Sequence, residues 1–567
     1  MFRKNRKHQQ PPLISNVNQL PENQRVRLED SWAGVFYKEF FSRLDEQMFS
    51  VLYSDLPSRP NVAVNVLVGL EFLKSGMGWS DEELYDAFLY NVQVRYALGY
   101  HELGEGEFDL RTLYYFRQRL SQYMQKEGQN LLDQAFEKIT DQQIAAFAIK
   151  TGKQRMDSTQ IGSNIRQQGR LQLLVEVLQR VERMLSEEDQ LRNAGVFQPY
   201  LQGHPGQYMY RLKKEDIQEH IQRAGRVMYQ MLAELRKDYA EQKPFQVLER
   251  VFGEHFRLKE SVVQVKPNEE LSASSLQSPD DWEATIREKG NGLHQGYVAN
   301  ITETCDPENP FQLITKIQVD PNHTDDPKLL LDALPNLVQR TQIETLYTDG
   351  GFGSPQVDQA FQDKNILLLQ TAIRGPRPSA DKLNLSDFKL KFDDAGKPCE
   401  ILCPNSQQVP VRQGNQHKGF AAEFPPAICQ NCPFYLEKKC PAQPGRRNPN
   451  FFLYFLLSEA HVARRRNRNA ELRRLKQNLR AAVEATIRAV KHPFSRGKLP
   501  VRGKSRMFSV MIGSAAINNL RQIQRYLLET NKNDRKNISK DSDVSFVFFI
   551  WSVENAFRDS FLTSLSC

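Results

Sequence analysis

Hydrophobic and polar positions recur with two different periods along this chain, and they divide it into regions. In residues 26–140 apolar residues stand at helical spacing, as in Asn61 to Lys74 (NVAVNVLVGLEFLK). Ser80 and Glu83 form a capping box, which predicts the start of a further helix. We therefore predict a small helical bundle for residues 26–140, preceded by a polar, proline-containing flexible arm at residues 1–25.

The following region carries strand patterns. A short strand through Gln154 and Met156 is predicted to end near Asp157. Further strands are predicted in HQGYVANITET, in FQLITKIQVD, at Thr345 to Thr348 and at Ile366 to Gln370, with helices at Pro327 to Arg340 and at 458–490. This order predicts an α/β domain around a mixed sheet at residues 141–530. Long charged helices at 166–255 and a Pro-, Gly- and Cys-rich insert at 375–450 interrupt it, and a tail of unknown role follows at 531–567.

The distribution of charge adds a functional hint, because positive charge is concentrated in one segment. The chain has 76 Lys and Arg against 68 Asp and Glu, a net charge of +8. Residues 461–506 hold a large excess of Lys and Arg, with only Glu471 and Glu484 as acids, so the rest of the chain is mildly acidic. Such a basic block is typical of a nucleic-acid-binding surface. A solvated helix face is the alternative interpretation.

Other patterns exclude several classes of protein. The basic N-terminus lacks the apolar core of a signal peptide, and the longest apolar run, Phe546 to Trp551, is far shorter than the ~20 residues that span a bilayer. There is no Walker or dinucleotide-binding glycine motif. We expect a cytoplasmic protein that binds no membrane. Its seven cysteines are then expected to be thiols or metal ligands instead of disulfides.

Two aspartates stand where a metal-dependent phosphodiester chemistry would need them. Asp157 lies in MDSTQIGSN, where a strand gives way to polar residues, and Asp349 lies in TLYTDGGFGSP, at the end of an apolar strand before two glycines. Carboxylates are the side chains that Mg²⁺ prefers, and ligands in α/β sheets lie at the carboxyl ends of strands. Each Asp could instead only cap a turn or a helix.

Glu484 lies on a predicted basic helix. Arg480, Glu484 and Lys491 are separated by four and seven residues, which places them on one helix face beside Arg488. A carboxylate flanked by cations fits a metal ligand beside a DNA phosphate, whereas i,i+4 ion pairs on an exposed helix are the alternative. Spacing alone does not distinguish Glu484 from Glu471.

Four cysteines form a candidate structural zinc site. Cys429 and Cys432 form a CxxC pair that Cys440 follows, and Cys403 precedes them. Four thiolates suit a tetrahedral Zn²⁺ ion that stabilises a loop-rich insert and takes no part in chemistry. Cys399 or His417 could replace one ligand. Incidental free thiols are the alternative, and we predict no role for Cys305 and Cys567.

Several motifs resemble those of one known family. They include SRPNVAVNVLVGLEFLKSGMGWSDEEL, RTLYYFRQRL, QRMDSTQIGSNIR, SPDDWEATIREKG, PNHTDDP, YTDGGFGSP and RAAVEATIRAVKHPFSRGKLPVRGKSR. Over residues 30–525 the chain resembles the bacterial insertion-sequence transposases of the DDE type. Relatives carry a signature Tyr-x2-Arg-x3-Glu-x6-Lys, and Arg480, Glu484 and Lys491 occupy its last three positions, with Gln477 in place of the tyrosine.

The resemblance implies a fold, an activity and partners. It implies an α/β ribonuclease-H-like catalytic core, a mixed sheet with flanking helices, together with an all-helical N-terminal domain, a helical insertion and a small zinc-binding insert. Asp157, Asp349 and Glu484 would hold two Mg²⁺ or Mn²⁺ ions for cleavage at transposon ends and strand transfer into target DNA. A homo-oligomer, a dimer, is expected to hold both terminal inverted repeats. Residues implied to bind DNA are Arg480, Arg488, Lys491, Arg502, Lys504 and Arg506.

Two other functions remain open from the sequence. A transposase relic that binds DNA without cutting it would keep the basic block, and the change of composition after residue 530 is a candidate site of damage. A metal-dependent nuclease that cuts without joining strands would carry the same carboxylates. The N-terminal helices could bind the ends of the element or only pack against the remaining chain.

Overall fold

Seven helices form the N-terminal region of the computed structural model. They are α1 (Glu22–Glu29), α2 (Trp32–Glu39), α3 (Val64–Met77), α4 (Asp81–Tyr90), α5 (Val92–Ala97), α6 (Leu110–Glu127) and α7 (Leu131–Ala146). The structure describes residues 2–541 apart from 11, 13, 55, 57–59, 290–291, 374–378, 380, 394, 415–418, 447 and 475–478. The predicted capping box is present at α4, where Ser80 Oγ accepts from Glu83 N at 3.1 Å and Glu83 Oε2 accepts from Ser80 N at 2.7 Å.

The segment before α1 contacts these helices. Asn5 N donates to Glu46 Oε1 at 2.9 Å, and His8 is buried, with its ring edge-on to Phe41.

A six-stranded mixed sheet lies at the centre of the chain. Its strands are β1 (Lys153–Gly162), β4 (Thr285–Lys289), β5 (Gly292–Thr304), β6 (Ile314–Pro321), β7 (Thr345–Thr348) and β8 (Leu367–Gln370). The strand order is β4-β5-β1-β7-β8. The sixth strand, β6, lies off this path and pairs with β5. β1 is antiparallel to β5 and parallel to β7, so it is a central strand with a partner on each edge.

Helices cover both faces of this sheet. On one side α13 (Asp326–Thr341) and α14 (Pro355–Asp363) bury Leu334, Leu337 and Phe361 against Met156 of β1. On the other side α18 (Val483–Lys491) contacts β1, and α19 (Lys504–Asp541) packs between β6 and α3. A mixed sheet with flanking helices is compatible with the predicted ribonuclease-H-like core.

Between β1 and β4 the chain forms a helical unit with its own apolar core. It contains α8 (Arg170–Met184), α9 (Glu187–Phe197), α10 (Pro205–Tyr210), α11 (Ile217–Tyr239), α12 (Lys243–His255) and a hairpin of β2 (Phe256–Lys259) and β3 (Val262–Val265). Leu178, Met228 and Leu248 are fully buried within it. The amphipathic helices predicted for residues 166–255 are therefore present.

Between β8 and α18 the chain builds a second antiparallel sheet. Its strands are β9 (Lys389–Phe392), β10 (Pro398–Leu402), β11 (Gln408–Gln413), β12 (Phe420–Phe424), β13 (Gln443–Pro444) and β14 (Phe451–Phe455), in the order β13-β14-β12-β11-β10-β9. Two short helices, α15 (Pro426–Cys429) and α16 (Pro433–Leu436), lie between β12 and β13, and α17 (Leu457–Arg474) follows β14. The sequence analysis did not predict these strands, because their short apolar runs lie among Pro and Gly residues.

Two predicted elements differ from the structure. β1 continues for five residues beyond Asp157, because Ser158–Gly162 pair with β5, so the predicted strand end there is wrong. The predicted helix at 458–490 is two helices, because residues 479–482 are not helical. α17 packs beside β8 and α14, whereas α18 packs against β1. α19 continues past residue 530, to Asp541.

Among the described residues no helix is long and apolar enough to cross a membrane.

Candidate active site

One face of β1 aligns the residues that meet the segment at 479–491. Side chains two residues apart on a strand share a face. Arg155 donates through Nη1 to Leu479 O at 3.0 Å, Asp157 accepts from Arg480, and Thr159 Oγ1 lies 3.0 Å from Lys491 Nζ. The alternation of β1 therefore brings Asp157 to α18, although these residues are more than 300 positions apart in the sequence.

Asp349 is placed beside Asp157 by strand register. Arg155 is paired with Tyr347 in the parallel β1–β7 ladder. Asp157 and Asp349 each lie two positions further along the chain, so the register brings them side by side. Asp349 directly follows β7, and its Oδ1 accepts from Gly351 N at 2.8 Å. The predicted position at a strand end is confirmed for Asp349.

A third aspartate lies at this edge of the sheet, and the sequence analysis did not single it out. Asp326 Oδ1 accepts from Ser158 Oγ at 2.8 Å. A Cβ atom on Gly351 would lie 2.8 Å from Asp326 Oδ2 and 3.0 Å from Asp349 Oδ1. A larger residue here would force one or both carboxylate side chains to shift, so the second glycine after Asp349 favours their present arrangement. The signal was the pair of acids in PNHTDDP, at the start of α13.

Arg480 joins the first and last of the predicted carboxylates. Its Nη2 lies 2.7 Å from Asp157 Oδ2, and its Nη1 lies 3.3 Å from Glu484 Oε1. The Glu484 side chain remains 57% exposed, whereas that of Asp157 is 10% exposed. The guanidinium thus balances two acids, one buried and one open to solvent.

The electrostatics of Asp157 depend on its neighbours. Burial raises the pKa of its carboxyl above the ordinary value, and the negative charge of Asp349 adds to this rise, while Arg480 opposes it. A cation between the two aspartates would favour their ionised forms. As the side chains stand, no group of three or more His, Cys, Asp and Glu residues in the described part of the chain is arranged to hold a metal ion.

A buried ion pair anchors both ends of the segment that carries Arg480 and Glu484. Arg155 Nε donates to Glu303 Oε1 at 2.6 Å, and Thr486 Oγ1 donates to Glu303 Oε2 at 2.8 Å. Because Arg155 also binds Leu479 O, the pair fixes residues on each side of the 480–484 stretch. These residues were not predicted from the sequence. Arg155 and Glu303 each stand among other polar residues of a strand, so their charge gave no distinct signal.

The residues predicted to bind DNA fall into three groups. Arg480 and Lys491 contact β1 as described above. Arg502 lies 3.3 Å from Asp280, and Lys504 lies 2.6 Å from Asp320, so both hold their loop to the protein. The remaining two, Arg488 and Arg506, are exposed and have no ion pair within the described ranges.

A groove continues from the end of β1. It encloses about 870 Å³, and its lining includes Gln160, Arg166, His294, Arg496 and Lys498. Gln160 is three positions beyond Asp157 on β1, a distance of roughly 10 Å. The groove therefore begins near the carboxylates, and its lining includes cationic side chains.

The four predicted zinc ligands line one small cavity. Cys403, Cys429, Cys432 and Cys440 surround a space of about 20 Å³ beneath β12 and β14. Gln407 N donates to Cys403 Sγ at 3.3 Å. Burial raises the pKa of the Cys429 thiol to about 11, and the three other cysteines add to this. Cys399 is exposed and lies outside this cavity, and His417 and Gln477 lie outside the described residues.

Comparison with known protein families gives a match over part of the chain. Residues 402–524 match a family model described as a transposase DDE domain. The match supports a DDE transposase. It includes Glu484 and the four clustered cysteines, whereas Asp157 and Asp349 precede the matched residues. Searches of curated proteins and of solved structures gave no match.

The match agrees with the DDE type of transposase that the sequence motifs predicted. DDE transposases act on DNA in transposition, and they generally use divalent metal ions.

Proposed function

We propose that the chain is a DNA transposase of a bacterial insertion sequence that cleaves DNA at the transposon ends and transfers the strands into target DNA. The observation that carries this proposal is that strand register places Asp349 beside Asp157, while Arg480 bridges Asp157 and Glu484. The adjoining basic groove supports it. Such a protein would act on DNA in the bacterial cytoplasm.

The donor chemistry of the site fits divalent cations. Asp157, Asp349 and Glu484 would hold two Mg²⁺ or Mn²⁺ ions, since hard cations prefer carboxylate oxygens. When bound, the ions lower the pKa of the attacking water or 3′-hydroxyl and balance the charge that develops on the phosphate. Burial and, to a smaller extent, the charge of Asp349 raise the pKa of Asp157, and a bound cation would oppose both effects.

Arg480 has a second role in this proposal. Its guanidinium balances the two acids in the present arrangement, and it would turn to a DNA phosphate once cations neutralise them. Arg488 is exposed on α18, Lys491 is half-buried at its end against β1, and Arg506 lies at the start of α19. These residues, together with Arg502 and Lys504, would position the strand for in-line attack.

The arrangement of domains is part of the proposal. The DDE catalytic domain would span residues 141–530, with the helical insertion at 166–255 and the cysteine-bearing insert at 375–450. The N-terminal helices at 26–140 would bind the terminal inverted repeats. A dimer would hold two transposon ends together, because both must be cut and joined to one target.

The direct test uses a plasmid that carries the terminal repeats of the element. Purified protein with Mg²⁺ should release the ends and insert them into a second plasmid. Asp157→Asn should abolish cleavage and leave DNA binding intact, while Asp238→Asn, an exposed change on α11, should leave both unchanged. Binding without cleavage by the wild type would favour a transposase relic. Cleavage without strand transfer would favour a nuclease.

We also propose that Cys403, Cys429, Cys432 and Cys440 hold a structural Zn²⁺ ion. Their thiols converge on one cavity of about 20 Å³, and a bound cation would favour the thiolate forms that burial now opposes. Elemental analysis should find one zinc per chain, lost in Cys432→Ser and kept in Cys399→Ser. Zinc-free wild-type protein, or equal loss in both variants, would contradict the assignment.

A further inference from the structure

Helix α6 presents an exposed face of unusual composition. Leu113 and Phe116 are buried and face the bundle, while Arg111, Tyr114, Tyr115, Gln118 and Gln122 lie on the outer side. Tyr114 and Tyr115 are 44% and 57% exposed. Large aromatic side chains in such positions have a low conformational-entropy cost on binding and combine apolar area with a polar group, which suits them to an interface.

The charge of this face differs from that of other exposed helices in the molecule. No Asp or Glu occurs from Leu110 to Lys126. On other helices several arginines pair with glutamates four residues earlier, as in Arg180–Glu176, Arg192–Glu188 and Arg223–Glu219. The Arg111 side chain has no hydrogen bond or ion pair to any residue that the structure describes. The face is therefore cationic and available to an anionic partner.

Ion pairs on the inner side of α6 hold this helix to its neighbours in the bundle. Arg117 Nε donates to Glu71 of α3 at 2.6 Å, and its Nη2 lies 2.7 Å from Asp81 of α4. Asp109 caps the N-terminus by accepting from Arg111 N at 2.8 Å. A helix fixed at its inner face presents its outer side chains in a defined geometry, which sequence-specific recognition requires.

We infer that α6 enters the major groove of duplex DNA and reads base edges. Arg111, Tyr115, Gln118 and Gln122 lie within about 60° of one another around the helix and span about 17 Å along it, the length of about five base pairs. Arginine is suited to guanine and glutamine to adenine in this groove. This inference rests on the proposed transposase function, because it assigns the element that recognises the transposon ends.

A protein partner fits this face less well. The exposed side chains are basic, amide or tyrosine, and Leu113 and Phe116, which an apolar docking surface would need, are turned inward. Arg119 lies at the border of the face, with its guanidinium 5.0 Å from the ring centroid of Tyr53. It would contact the phosphate backbone beside the groove.

Selection from a pool of random-sequence duplexes tests the inference. The full-length chain should enrich one sequence motif from a library of 20-base-pair duplexes. Arg111→Ala and the pair Gln118→Ala, Gln122→Ala should each weaken binding to that motif by roughly 5- to 150-fold and relax preference at a few adjacent base pairs. Arg226→Ala, an exposed and unpaired arginine of α11, should change neither.

The outcomes separate this inference from the proposed function. Enrichment of a motif that the α6 variants bind as tightly and as selectively as the wild type would overturn the role of α6 and leave the transposase proposal standing. No enrichment by the wild type would count against both. Thermal unfolding midpoints within about 1–2 °C of the wild type would show that the variants are folded, as expected for exposed side chains.

Discussion

Thr486→Val tests whether the buried ion pair positions Glu484. The substitution keeps the shape of the side chain and removes the hydroxyl that donates to Glu303 Oε2 at 2.8 Å. Glu303 is 2% exposed, and its other oxygen is bound by Arg155, so no solvent replaces the lost bond. A hydrogen bond to a buried charge contributes about 1.5–3 kcal/mol, and we expect the free energy of unfolding to fall by that amount.

The loss of this bond should also alter catalysis in a specific way. The 480–484 stretch would lose its anchor at Thr486 and keep the one at Leu479, while Lys491 still holds the end of α18 to β1. We expect Glu484 to move relative to Asp157. Misplacement by about 1 Å can cost about 100-fold in rate. We expect slower cleavage and a higher Mg²⁺ concentration for half-maximal rate, measured on a labelled DNA end.

A shift in metal dependence separates positioning from simple destabilisation. Thr530→Val removes a hydroxyl whose partner is a carbonyl of its own helix, Tyr526 O at 2.9 Å. It should leave the Mg²⁺ dependence unchanged. An unchanged Mg²⁺ dependence in Thr486→Val, with a cleavage rate equal to that of the wild type, would refute the positioning role.

Three further predictions concern separate parts of the molecule. Burial lowers the pKa of His255 to about 4 from 6.5, so the unfolded chain takes up a proton first as the pH falls. The free energy of unfolding should drop by about 2 kcal/mol between pH 7.5 and 5, and urea titrations should show that His255→Leu lacks this drop. Gly351→Ala should displace the carboxylates of Asp326 and Asp349, slowing cleavage about 100-fold for a stability cost of about 1 kcal/mol by urea unfolding. Equal cleavage rates would contradict this. Arg496→Gln in the groove should reduce the slope of log affinity against log salt by about 1, and an unchanged slope would exclude a phosphate contact there.

The sequence predicted the elements of the fold better than their limits. β7 has the predicted bounds, Thr345–Thr348, because its apolar run ends at an acid followed by glycines. β1 was predicted too short because its polar residues after Asp157 suggested a loop, although backbone pairing with β5 carries the strand to Gly162. Sheet pairing between distant segments overrides local composition, and one sequence does not show that pairing.

The site was partly predictable for a similar reason. Asp157, Asp349 and Glu484 stood out through motifs and spacing. Glu303 and Asp326 did not, because their roles depend on contacts with residues more than 140 positions away. A single long helix at 458–490 was predicted from charge and spacing, whereas residues 479–482 are not helical and the two helices, α17 and α18, contact different strands of the sheet.

Cleavage by Glu484→Gln and Glu471→Gln tests the central claim most directly. Both residues are exposed glutamates of the basic segment, and only Glu484 lies beside Arg480 and Asp157. With Mg²⁺ and a duplex carrying a transposon end, Glu484→Gln should lose cleavage and keep DNA binding, whereas Glu471→Gln should cleave at the wild-type rate. Cleavage by Glu484→Gln at the wild-type rate would contradict the assignment of the three carboxylates as the active site.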